Sequence, residues 1–274
     1  MNSKTFVVTG ASGAIGAEVC KVLLQDGHSV IMACRNLEKG ERILDSIVDN
    51  KDQADLIMLM ELDMSSFDSV RNFAEKLKQG NLYIDGLVNN AGTLQRHFSL
   101  TKDALETTIQ VNYISVFLLN KLLMPLLNEN AAIVNVVSIA KNASKLNKSF
   151  FETNDKDFSQ TGNYLLSKTA LTIHTASMAE HTKGKYRVNA VDPGIVDSNI
   201  ITMNRWFDPL ANLVFRPFTK TPKSGAKPVL NAIFSTQSGQ LFVGKKHKAI
   251  SDKYKQHSLT EWLWNETEEI VKFA

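Results

Sequence analysis

The sequence predicts an α/β fold with a single doubly wound parallel sheet of about seven strands and helices on both faces. Its short strand-like runs are apolar nearly throughout, which is typical of parallel strands buried on both faces. These runs alternate with stretches whose apolar residues recur at helical spacing. With 274 residues, 43% hydrophobic and 22% charged, the composition is that of a globular protein rather than a disordered or fibrous one.

The elements alternate from the start of the chain, with a strand at 5–9 and a helix at 14–26 that Gly27 closes. Further strands are predicted at 29–33, 56–62, 84–88, 132–137, 187–191 and 240–243. Further helices are predicted at 37–48, 67–78, 102–127 and 164–181. Right-handed crossovers would place the helices on both faces. Because no linker or repeat interrupts this pattern, we expect one domain over 1–274, with insertions at 141–160 and 195–222.

The charge balance is close to neutral, since 31 basic and 28 acidic side chains give a net charge of +3. This excess is too small to indicate a nucleic-acid partner. The basic residues are concentrated, however: residues 216–255 contain nine Lys or Arg and a single acid, Asp252. A solvated basic surface is the simpler interpretation, and an anionic partner is the alternative.

Cys20 and Cys34 are the only cysteines, too few for a disulfide framework and without the spacing of metal ligands. We therefore predict no metal site. No run of apolar residues approaches the ~20 needed to span a bilayer. The first residues enter a strand-like run and lack the features of a signal peptide. These features predict a soluble, cytoplasmic protein without a membrane span.

A glycine-rich segment, TGASGAIG at 9–16, joins the first strand to the first helix. Such a turn lets backbone amides approach a pyrophosphate, and the helix dipole favours its negative charge. Turns of this kind can also be purely structural, but the position after the first strand favours nucleotide binding. No Gly-Lys-Ser/Thr follows, which disfavours phosphoryl transfer. The candidate cofactor contacts are Thr9, Gly10, Ser12, Gly13, Ala14, Ile15 and Gly16.

Further motifs follow this loop in a fixed order over about 185 residues. They are Asp63 after the third strand, Asn89-Asn90-Ala91-Gly92 after the fourth, Asn112 in the long helix, Ser138 after the fifth strand, Tyr164 and Lys168 in a Tyr-x-x-x-Lys pair, and Asp192-Pro193-Gly194 after the sixth strand. In this order they resemble the short-chain dehydrogenase/reductase family, which has a Rossmann-type fold. The stretch MACRNLEKG at 32–40 is similar to retinol-dehydrogenase-like and protochlorophyllide-reductase-like members.

The resemblance implies a catalytic tetrad of Asn112, Ser138, Tyr164 and Lys168. In the family, Asn112 would anchor a water linked to Lys168, which would also hold the nicotinamide ribose, and Asp63 would contact the adenine ring. The other cofactor contacts that it implies are Met64, Asn90, Ala91, Gly92, Tyr164, Pro193, Gly194 and Val196. Some of the similar members carry an N-terminal apolar anchor that this sequence lacks, which weakens any transfer of a retinoid substrate.

The residues also support this chemistry directly. Tyr164 and Lys168 are four apart on a predicted helix and share one face. A phenol has an ordinary pKa near ~10, and a neighbouring ammonium is expected to lower it, which would allow proton exchange at neutral pH. Ser138 at a strand end can hydrogen-bond a substrate oxygen. A half-buried tyrosine beside a solvated lysine is the structural alternative.

The end of the second strand predicts NADP(H) in preference to NAD(H). NAD-binding folds place an acid there for the ribose 2′-hydroxyl, but this sequence has Cys34 followed by Arg35. A guanidinium can bind the 2′-phosphate of NADP through charge-assisted hydrogen bonds. Arg35 and Asn36 are therefore candidate cofactor contacts. An arginine that merely faces water is the alternative.

These features together predict an NADP(H)-dependent oxidoreductase that interconverts a carbonyl and an alcohol. One alternative is a dinucleotide-sensing protein without catalysis, although that class generally lacks the Tyr/Lys pair. A second is a nucleotide-sugar epimerase of the extended branch, which usually needs more than the ~80 residues that follow Gly194.

The insertion at 195–222 predicts a lid over a bulky apolar small-molecule substrate. Its apolar residues are Trp206, Phe207, Leu210, Leu213, Val214, Phe215 and Phe218. Packing within the domain or a partner interface would explain the same residues. Residues 141–160, with Phe150 and Phe151, are expected to form the opposite rim. The resemblance also implies a homodimer or homotetramer, paired through the helix at 102–127 and the helix that carries Tyr164.

Overall fold

The computed structural model describes residues 3–138, 146–196 and 220–273, which form one eight-stranded sheet with helices on both faces. The strands are β1 (Thr5–Thr9), β2 (Ser29–Cys34), β3 (Ile57–Glu61), β4 (Ile84–Asn89), β5 (Leu127–Val136), β6 (Arg187–Asp192), β7 (Gln240–Val243) and β8 (Lys246–Ala249). The helices are α1 (Ala14–Gln25), α2 (Leu37–Ile47), α3 (Lys51–Ala54), α4 (Phe67–Gln79), α5 (Thr107–Ile109), α6 (Ser115–Leu123), α7 (Gln160–His181), α8 (Pro222–Phe234), α9 (Asp252–Lys255) and α10 (Thr260–Phe273).

The strand order is β3-β2-β1-β4-β5-β6-β7-β8, and the strands from β1 to β7 are parallel. This order confirms the predicted doubly wound sheet. The eighth strand was not predicted: β8 pairs antiparallel with β7, and its sequence KHKA is exposed throughout. An edge strand needs no apolar face, and lysines there discourage pairing with other chains. Hydrophobic patterning therefore could not reveal it.

Two hydrophobic clusters cover the two faces of the sheet. Along β1, Val7 belongs to the cluster formed with α4, α6 and α7, whereas Phe6 and Val8 belong to the cluster formed with α1, α2 and α8. This alternation follows from the two-residue repeat of a strand. Burying one such side chain contributes about 1.5–3 kcal/mol, so both helical layers are needed to hold the sheet.

The helix predicted at 102–127 is shorter and less regular in the structure. It begins at Thr107, because the Glu106 carboxylate accepts hydrogen bonds from the amides of Thr108 and Ile109 at 3.0 and 2.9 Å. A π-helical turn, Gln110–Ile114, separates α5 from α6, and a 3₁₀ turn, Met124–Leu126, leads directly into β5. The fifth strand consequently begins at Leu127, five residues before its predicted start at 132.

The C-terminal helix α10 packs against the helices that were expected to pair between copies of the chain. The Tyr113 hydroxyl lies 2.8 Å from the Thr267 hydroxyl, and the Trp264 ring contacts Phe117 at 5.0 Å between centroids. Lys121 Nζ lies 2.5 Å from Glu268 Oε1. The chain itself therefore covers part of the face that was assigned to a dimer contact. A homodimer or homotetramer stays a prediction.

One helical stretch within the described residues, Thr107–Leu126, has the length and apolar composition that a membrane span would need. This corrects the sequence-based statement that no apolar run approaches that length. Within the domain, however, 67% of its apolar window is buried, as expected of the core helix of a globular protein. A cytoplasmic location stays a prediction.

His174 on α7 lies among aromatic side chains of this layer and is only 3% exposed. Its ring contacts those of Phe117 and Trp264 at 5.1 and 5.4 Å between centroids. The Asn120 amide lies 3.3 Å from Nε2, while Nδ1 has no hydrogen-bond partner among the described residues. Burial lowers the pKa of His174 to about 4, so the imidazole is neutral at physiological pH.

We expect this burial to make the fold acid-sensitive. Between about pH 6.5, where an unfolded histidine titrates, and about pH 4, the unfolded chain binds a proton that the folded chain does not. Stability is therefore lost as the pH falls through this window, by about 3 kcal/mol from His174 alone. Urea unfolding at pH 7.5 and pH 4.5 would measure the loss, and His174→Gln should reduce it.

His97→Gln is the matched control, because His97 is exposed. That variant should lose stability with acid as the wild type does. An identical pH dependence in the wild type and in His174→Gln would contradict the assignment to His174.

Candidate active site

The carboxyl ends of β1 and β4 lie side by side where the strand order reverses. β1 pairs with β2 on one side and with β4 on the other, so the chain continues outward in opposite directions from this point. Ligands of open α/β sheets bind at such a switch point. The motifs that follow β1, β4, β5 and β6 all lie at the carboxyl ends of these parallel strands.

The glycine-rich loop follows β1 and runs close to other backbone. Gly10 has a φ of +63°, and a Cβ there would lie 2.9 Å from the Cα of Ala91. A Cβ at Gly16 would lie 2.5 Å from the carbonyl oxygen of Gly10. Gly13 caps α1 without a side-chain hydrogen bond, so the amides of the first helical turn are not covered by a capping side chain. This arrangement suits a diphosphate.

Thr9 and Asn90 join the loop to the segment that follows β4. The Thr9 hydroxyl accepts hydrogen bonds from the amides of Asn90 and Ala91, both at 3.0 Å. The Asn90 side-chain amide donates to the carbonyls of Thr9 and Gly10 at 2.9 and 3.2 Å. Thr9, predicted to contact the cofactor, is fully buried. The Thr9 side chain therefore holds the loop in place. It does not line the groove that we expect between the glycine-rich loop and the segment after β4.

The end of β2 separates a buried thiol from an exposed cation. Cys34 is fully buried, and burial raises the pKa of its thiol. Hydrogen bonds from Ser12 and Ala11 act in the opposite direction and lower this pKa. Arg35 is exposed. Asn36, predicted as a cofactor contact, accepts a hydrogen bond from the Lys39 amide at 2.7 Å and caps α2. Both residues of this predicted pair are exposed, but the Asn36 side-chain oxygen already caps α2, whereas Arg35 offers a cation at the strand end.

Asp63 and Met64 form the turn after β3. Asp63 Oδ1 accepts hydrogen bonds from the amide and the hydroxyl of Ser65 at 2.9 and 2.7 Å. The Met64 side chain is 4% exposed and belongs to the core, and its carbonyl accepts a hydrogen bond from the Ser115 hydroxyl at 2.6 Å. Met64 therefore anchors the turn and does not present its side chain to the groove.

Pro193 and Gly194 follow β6 at the base of the insertion. Gly194 has a φ of +76°, a conformation that favours glycine. Lys220 Nζ donates to the Pro193 carbonyl at 3.1 Å, and the Lys220 amide donates to the Ile195 carbonyl at 2.8 Å. Val196, predicted as a cofactor contact, is buried and pairs with Lys220 in a parallel bridge. The two ends of the insertion therefore meet beside this motif.

Asn112 lies in the π-helical turn and is fully buried. Its Oδ1 accepts a hydrogen bond from the Thr93 amide at 2.8 Å, and its Nδ2 donates to the Thr93 carbonyl at 2.9 Å and to the Ser167 hydroxyl at 3.0 Å. π turns are frequent at functional sites, because the extra residue redirects a side chain. This turn fixes Asn112 between the loop after β4 and α7.

Ser138, Tyr164 and Lys168 converge next to Asn112. The Ser138 hydroxyl forms a hydrogen bond with the Tyr164 side chain. Lys168 Nζ lies 5.9 Å from the centre of the Tyr164 ring and donates to the Val136 carbonyl at 2.9 Å. A Cβ at Gly92 would lie 3.3 Å from Asn112 Oδ1 and 3.4 Å from Lys168 Nζ, so both groups meet at this glycine. The structure brings the four predicted catalytic side chains together.

The electrostatics of the pair differ from the expectation. Burial raises the pKa of Tyr164, the hydrogen bond from Ser138 opposes this rise, and the negative charge of Asp192 adds to it. Burial lowers the pKa of Lys168 to about 8. The expected lowering of the phenol pKa by Lys168 is therefore not found, because Lys168, with its pKa lowered to about 8, loses its charge before a phenol titrates.

Comparison with known proteins agrees with this geometry. The family model of the short chain dehydrogenase matches residues 4–206. Retinol dehydrogenase 12 of Homo sapiens is 32% identical, over 98% of this chain and 86% of its own length. Retinol dehydrogenase 14 of Mus musculus is 30% identical, over 99% of this chain and 86% of its own.

The chain belongs to the short chain dehydrogenase family. The fold is also shared with solved structures. An uncharacterized protein from Mycobacterium Paratuberculosis is similar with a TM-score of 0.77 and 26% identity, over 98% of this chain and 93% of that one. A short chain dehydrogenase from Shigella flexneri complexed with NADP has a TM-score of 0.70 at 21% identity, over 90% of this chain and 98% of that one.

The site of this short chain dehydrogenase fits a nicotinamide dinucleotide. The loop at Gly10–Gly16 provides an uncapped helix start, and the glycine contacts leave no room for side chains where a diphosphate would approach. Among the described residues, no group of three or more His, Cys, Asp or Glu side chains could hold a metal ion.

Parts of the predicted substrate pocket lie outside the described residues. These are residues 141–145 of the predicted rim and the lid residues Trp206, Phe207, Leu210, Leu213, Val214, Phe215 and Phe218. Within the described part of the predicted rim at 141–160, Phe150 and Phe151 differ from the expectation. Phe150 is 2% exposed and packs against Tyr113 at 5.9 Å, and Phe151 contacts Trp262 on α10 at 5.6 Å, both between ring centroids. These aromatic rings belong to the core beside α10.

Two residues near the site were not proposed from the sequence. Asp192 was noted only as part of Asp-Pro-Gly, yet its charge acts on Tyr164. Lys220, at the end of the insertion, lies beside Pro193 and Gly194, which precede the insertion in the chain. The position of Asp192 at the end of a buried strand could have indicated its place at the site. No local pattern indicates that of Lys220.

We expect Gly16→Ala to weaken dinucleotide binding and to destabilise the fold. A Cβ at this position would lie within 2.8 Å of backbone atoms of Gly10 and Ala11, which cannot move independently. Forcing atoms into packed backbone costs roughly 1–3 kcal/mol. Urea unfolding and NADPH fluorescence titration would measure the two effects.

Gly80→Ala is the matched control, because the nearest atoms to its Cβ lie at an ordinary 3.5 Å and its φ is −73°. Its stability should stay within about 0.5 kcal/mol of the wild type. Unchanged stability and binding in Gly16→Ala would contradict the close approach described for this loop.

Proposed function

We propose that this protein is an NADP(H)-dependent oxidoreductase that interconverts a carbonyl and an alcohol, with Tyr164 as the general acid and base. The observation that carries the proposal is the convergence of Ser138, Tyr164 and Lys168 beside the glycine-rich loop. A hydroxyl pair next to a dinucleotide groove is suited to hold and protonate a substrate oxygen.

When bound, a reduced nicotinamide would supply the hydride to the carbonyl carbon. The π electrons of the carbonyl then move to its oxygen, and the Tyr164 hydroxyl donates the proton that completes the alcohol. The Ser138 hydroxyl hydrogen-bonds the same oxygen as its charge develops. Lys168, which donates to the Val136 carbonyl at 2.9 Å, would hold the nicotinamide ribose. Oxidation of the alcohol reverses these steps, with tyrosinate as the base.

The preference for NADP(H) rests on Arg35. Its side chain is exposed where NAD-binding folds place an acid, and the preceding Cys34 is buried. The nearest acid along the chain, Glu38, lies in the first turn of α2. A 2′-phosphate would therefore meet a cation and no carboxylate from this strand end.

A bulky apolar substrate is supported by two observations. Relatives that match almost the whole chain are named retinol dehydrogenases. In addition, the segment after β4 and the segment before α7 meet in an edge-to-face contact between Phe98 and Phe158, with ring centroids 6.2 Å apart. Since Phe98 follows the Asn-Asn-Ala-Gly motif and Phe158 precedes Tyr164 in the chain, this contact supports an apolar lining near the proposed site. Retinaldehyde is therefore the first probe, with acetaldehyde as a small comparison.

The purified protein should oxidise NADPH in the presence of retinaldehyde, followed by absorbance, and should act much more slowly on acetaldehyde. Dinucleotide binding without turnover on a broad carbonyl panel would contradict the enzyme assignment and favour the dinucleotide-sensing alternative. Activity confined to small carbonyls would contradict the substrate class alone.

We expect Tyr164→Phe to lower turnover by about 10²–10⁴-fold, the usual contribution of general acid–base catalysis. The ring and its packing are retained, so the affinity for NADPH, measured by fluorescence titration, should be unchanged. Tyr83→Phe is the matched control, since Tyr83 is 65% exposed. Near-normal turnover in Tyr164→Phe would contradict the assigned role.

We expect Arg35→Ala to lower the ratio of kcat/KM for NADPH to kcat/KM for NADH by roughly 10–100-fold. A hydrogen bond to a charged group contributes about 1.5–3 kcal/mol, which corresponds to this factor. Dissociation constants of the two dinucleotides should change in the same sense.

Arg42→Ala removes an exposed arginine from α2 and should leave the ratio unchanged. If the wild type prefers NADH, or if Arg35→Ala keeps the wild-type ratio, Arg35 does not select the cofactor.

A further inference from the structure

Lys220 is a half-buried cation at the end of the insertion, and the proposed reaction does not use it. Its side chain lies along Gly194, since a Cβ at that glycine would lie 2.7 Å from Nζ and 3.1 Å from Cε. Nζ donates a hydrogen bond to the Pro193 carbonyl at 3.1 Å, its only hydrogen bond to the described residues. An ammonium has three N–H donors, so two of them stay available for a ligand.

The backbone of Lys220 is held independently of the side chain. Its amide donates to the Ile195 carbonyl at 2.8 Å, and the residue pairs with Val196 in a parallel bridge. Val196 is itself buried. Because these contacts already join the two ends of the insertion, the ammonium is not needed for that purpose.

The segment that carries Lys220 lies next to the start of α1. The helix α8 begins two residues after Lys220, and a Cβ at Gly225 of this helix would lie 2.5 Å from Val196 Cγ2 and 3.4 Å from Ile15 Cγ1. Ile15 belongs to the first turn of α1. The bridge partner of Lys220 and the first turn of α1 therefore meet at the same glycine, which places Lys220 near the helix start that suits a diphosphate.

The diphosphate of a dinucleotide is negatively charged, but the glycine-rich loop offers it no cationic side chain. Residues 9–16 contain no Lys, Arg or His. The start of α1 contributes the equivalent of only about half a positive charge. In the proposed function, Arg35 and Lys168 are assigned to the 2′-phosphate and the nicotinamide ribose. A further cation is therefore needed for the diphosphate, and lysine binds phosphate groups as a point charge.

We propose that Lys220 is a cofactor-binding residue whose ammonium donates a charge-assisted hydrogen bond to the diphosphate of the dinucleotide. The inference rests on the proposed function, which requires a nicotinamide dinucleotide at this site. The diphosphate is common to NADP(H) and NAD(H). Lys220 therefore contributes to the affinity for both dinucleotides, whereas Arg35 selects between them.

The direct test is the affinity of Lys220→Met for NADPH and for NADH, measured by fluorescence titration. Methionine keeps an unbranched stem that can lie along Gly194, but it removes the charge. Both dissociation constants should rise by about 10–100-fold, the contribution of a hydrogen bond to a charged group. Lys220→Arg retains the charge and should keep most of the affinity.

Two fragments of the cofactor separate the diphosphate from its neighbours, with binding measured by competition against NADPH. ADP-ribose contains the diphosphate without the nicotinamide, and Lys220→Met should weaken it by the same factor. Adenosine 2′-phosphate lacks the diphosphate, and its affinity should be unchanged. A loss for adenosine 2′-phosphate, or a loss for NADPH without one for NADH, would place Lys220 at the 2′-phosphate and overturn the proposal.

Lys227→Met is the matched control, since it removes the same charge from an exposed position of α8. Its dissociation constants should equal those of the wild type. Urea unfolding without cofactor tests a purely structural role of Lys220. A lower stability of Lys220→Met with unchanged dissociation constants would show that the side chain only holds the insertion, and would overturn the proposal.

The second readout is steady-state reduction of retinaldehyde. Lys220→Met should raise the KM for NADPH and for NADH by similar factors and change kcat much less, because the diphosphate takes no part in hydride transfer. If Lys220→Met weakens both dinucleotides but the wild type reduces no carbonyl, the diphosphate contact is supported and the oxidoreductase function fails. If the wild type binds neither dinucleotide, both proposals fail.

Discussion

The close approach of two backbone segments, where β1 and β4 end, is the constraint on which the rest of the site depends. Gly10 lies against Ala91 and Gly16 against Gly10, at distances that no Cβ could occupy. The Thr9 hydroxyl and the Asn90 amide fix these segments to one another with short hydrogen bonds. Because these two segments are fixed, the first turn of α1, which no side chain caps, begins next to the segment after β4. That segment in turn contacts Asn112, since the Thr93 amide donates to the Asn112 side chain. Side chains that are distant in the sequence are thereby placed around one groove.

Desolvation governs the chemistry of the groups that surround this groove. It raises the pKa of Tyr164 and lowers the pKa of Lys168 to about 8, so burial favours the neutral form of both. The Ser138 hydroxyl and the Asp192 charge act on the same phenol in opposite directions. The ionisation of these groups is therefore set by burial and several neighbours together rather than by the lysine alone.

The helical layer behind the candidate site is part of the hydrophobic core. Asn112 is held by the π turn between α5 and α6, and those helices also contact α7 and the C-terminal helix α10. The aromatic side chains of α10 pack close to His174, which burial keeps neutral. The C-terminal helix thus completes the core on the face of the sheet that carries the tetrad. Changes in α10 can be expected to act on α7, where Tyr164 and Lys168 lie.

The sheet was predicted correctly from the sequence, because apolar strands that alternate with helical stretches form a local pattern. The roles of the glycine-rich loop and of the four clustered side chains follow from motif order and the family resemblance, and they stay predictions. The sequence did not reveal β8, since an exposed lysine-rich edge strand lacks an apolar pattern. The helices α8 and α10 were also not predicted, although Leu263 and Val271 of α10 lie on one buried helical face. The sequence assigned cofactor contacts to Thr9, Asn36 and Met64, whose side chains the structure uses to hold the loop, cap α2 and fill the core. The burial that raises the pKa of Tyr164 could not be predicted from the sequence, because it arises where a helix and strands that are far apart in the chain pack together.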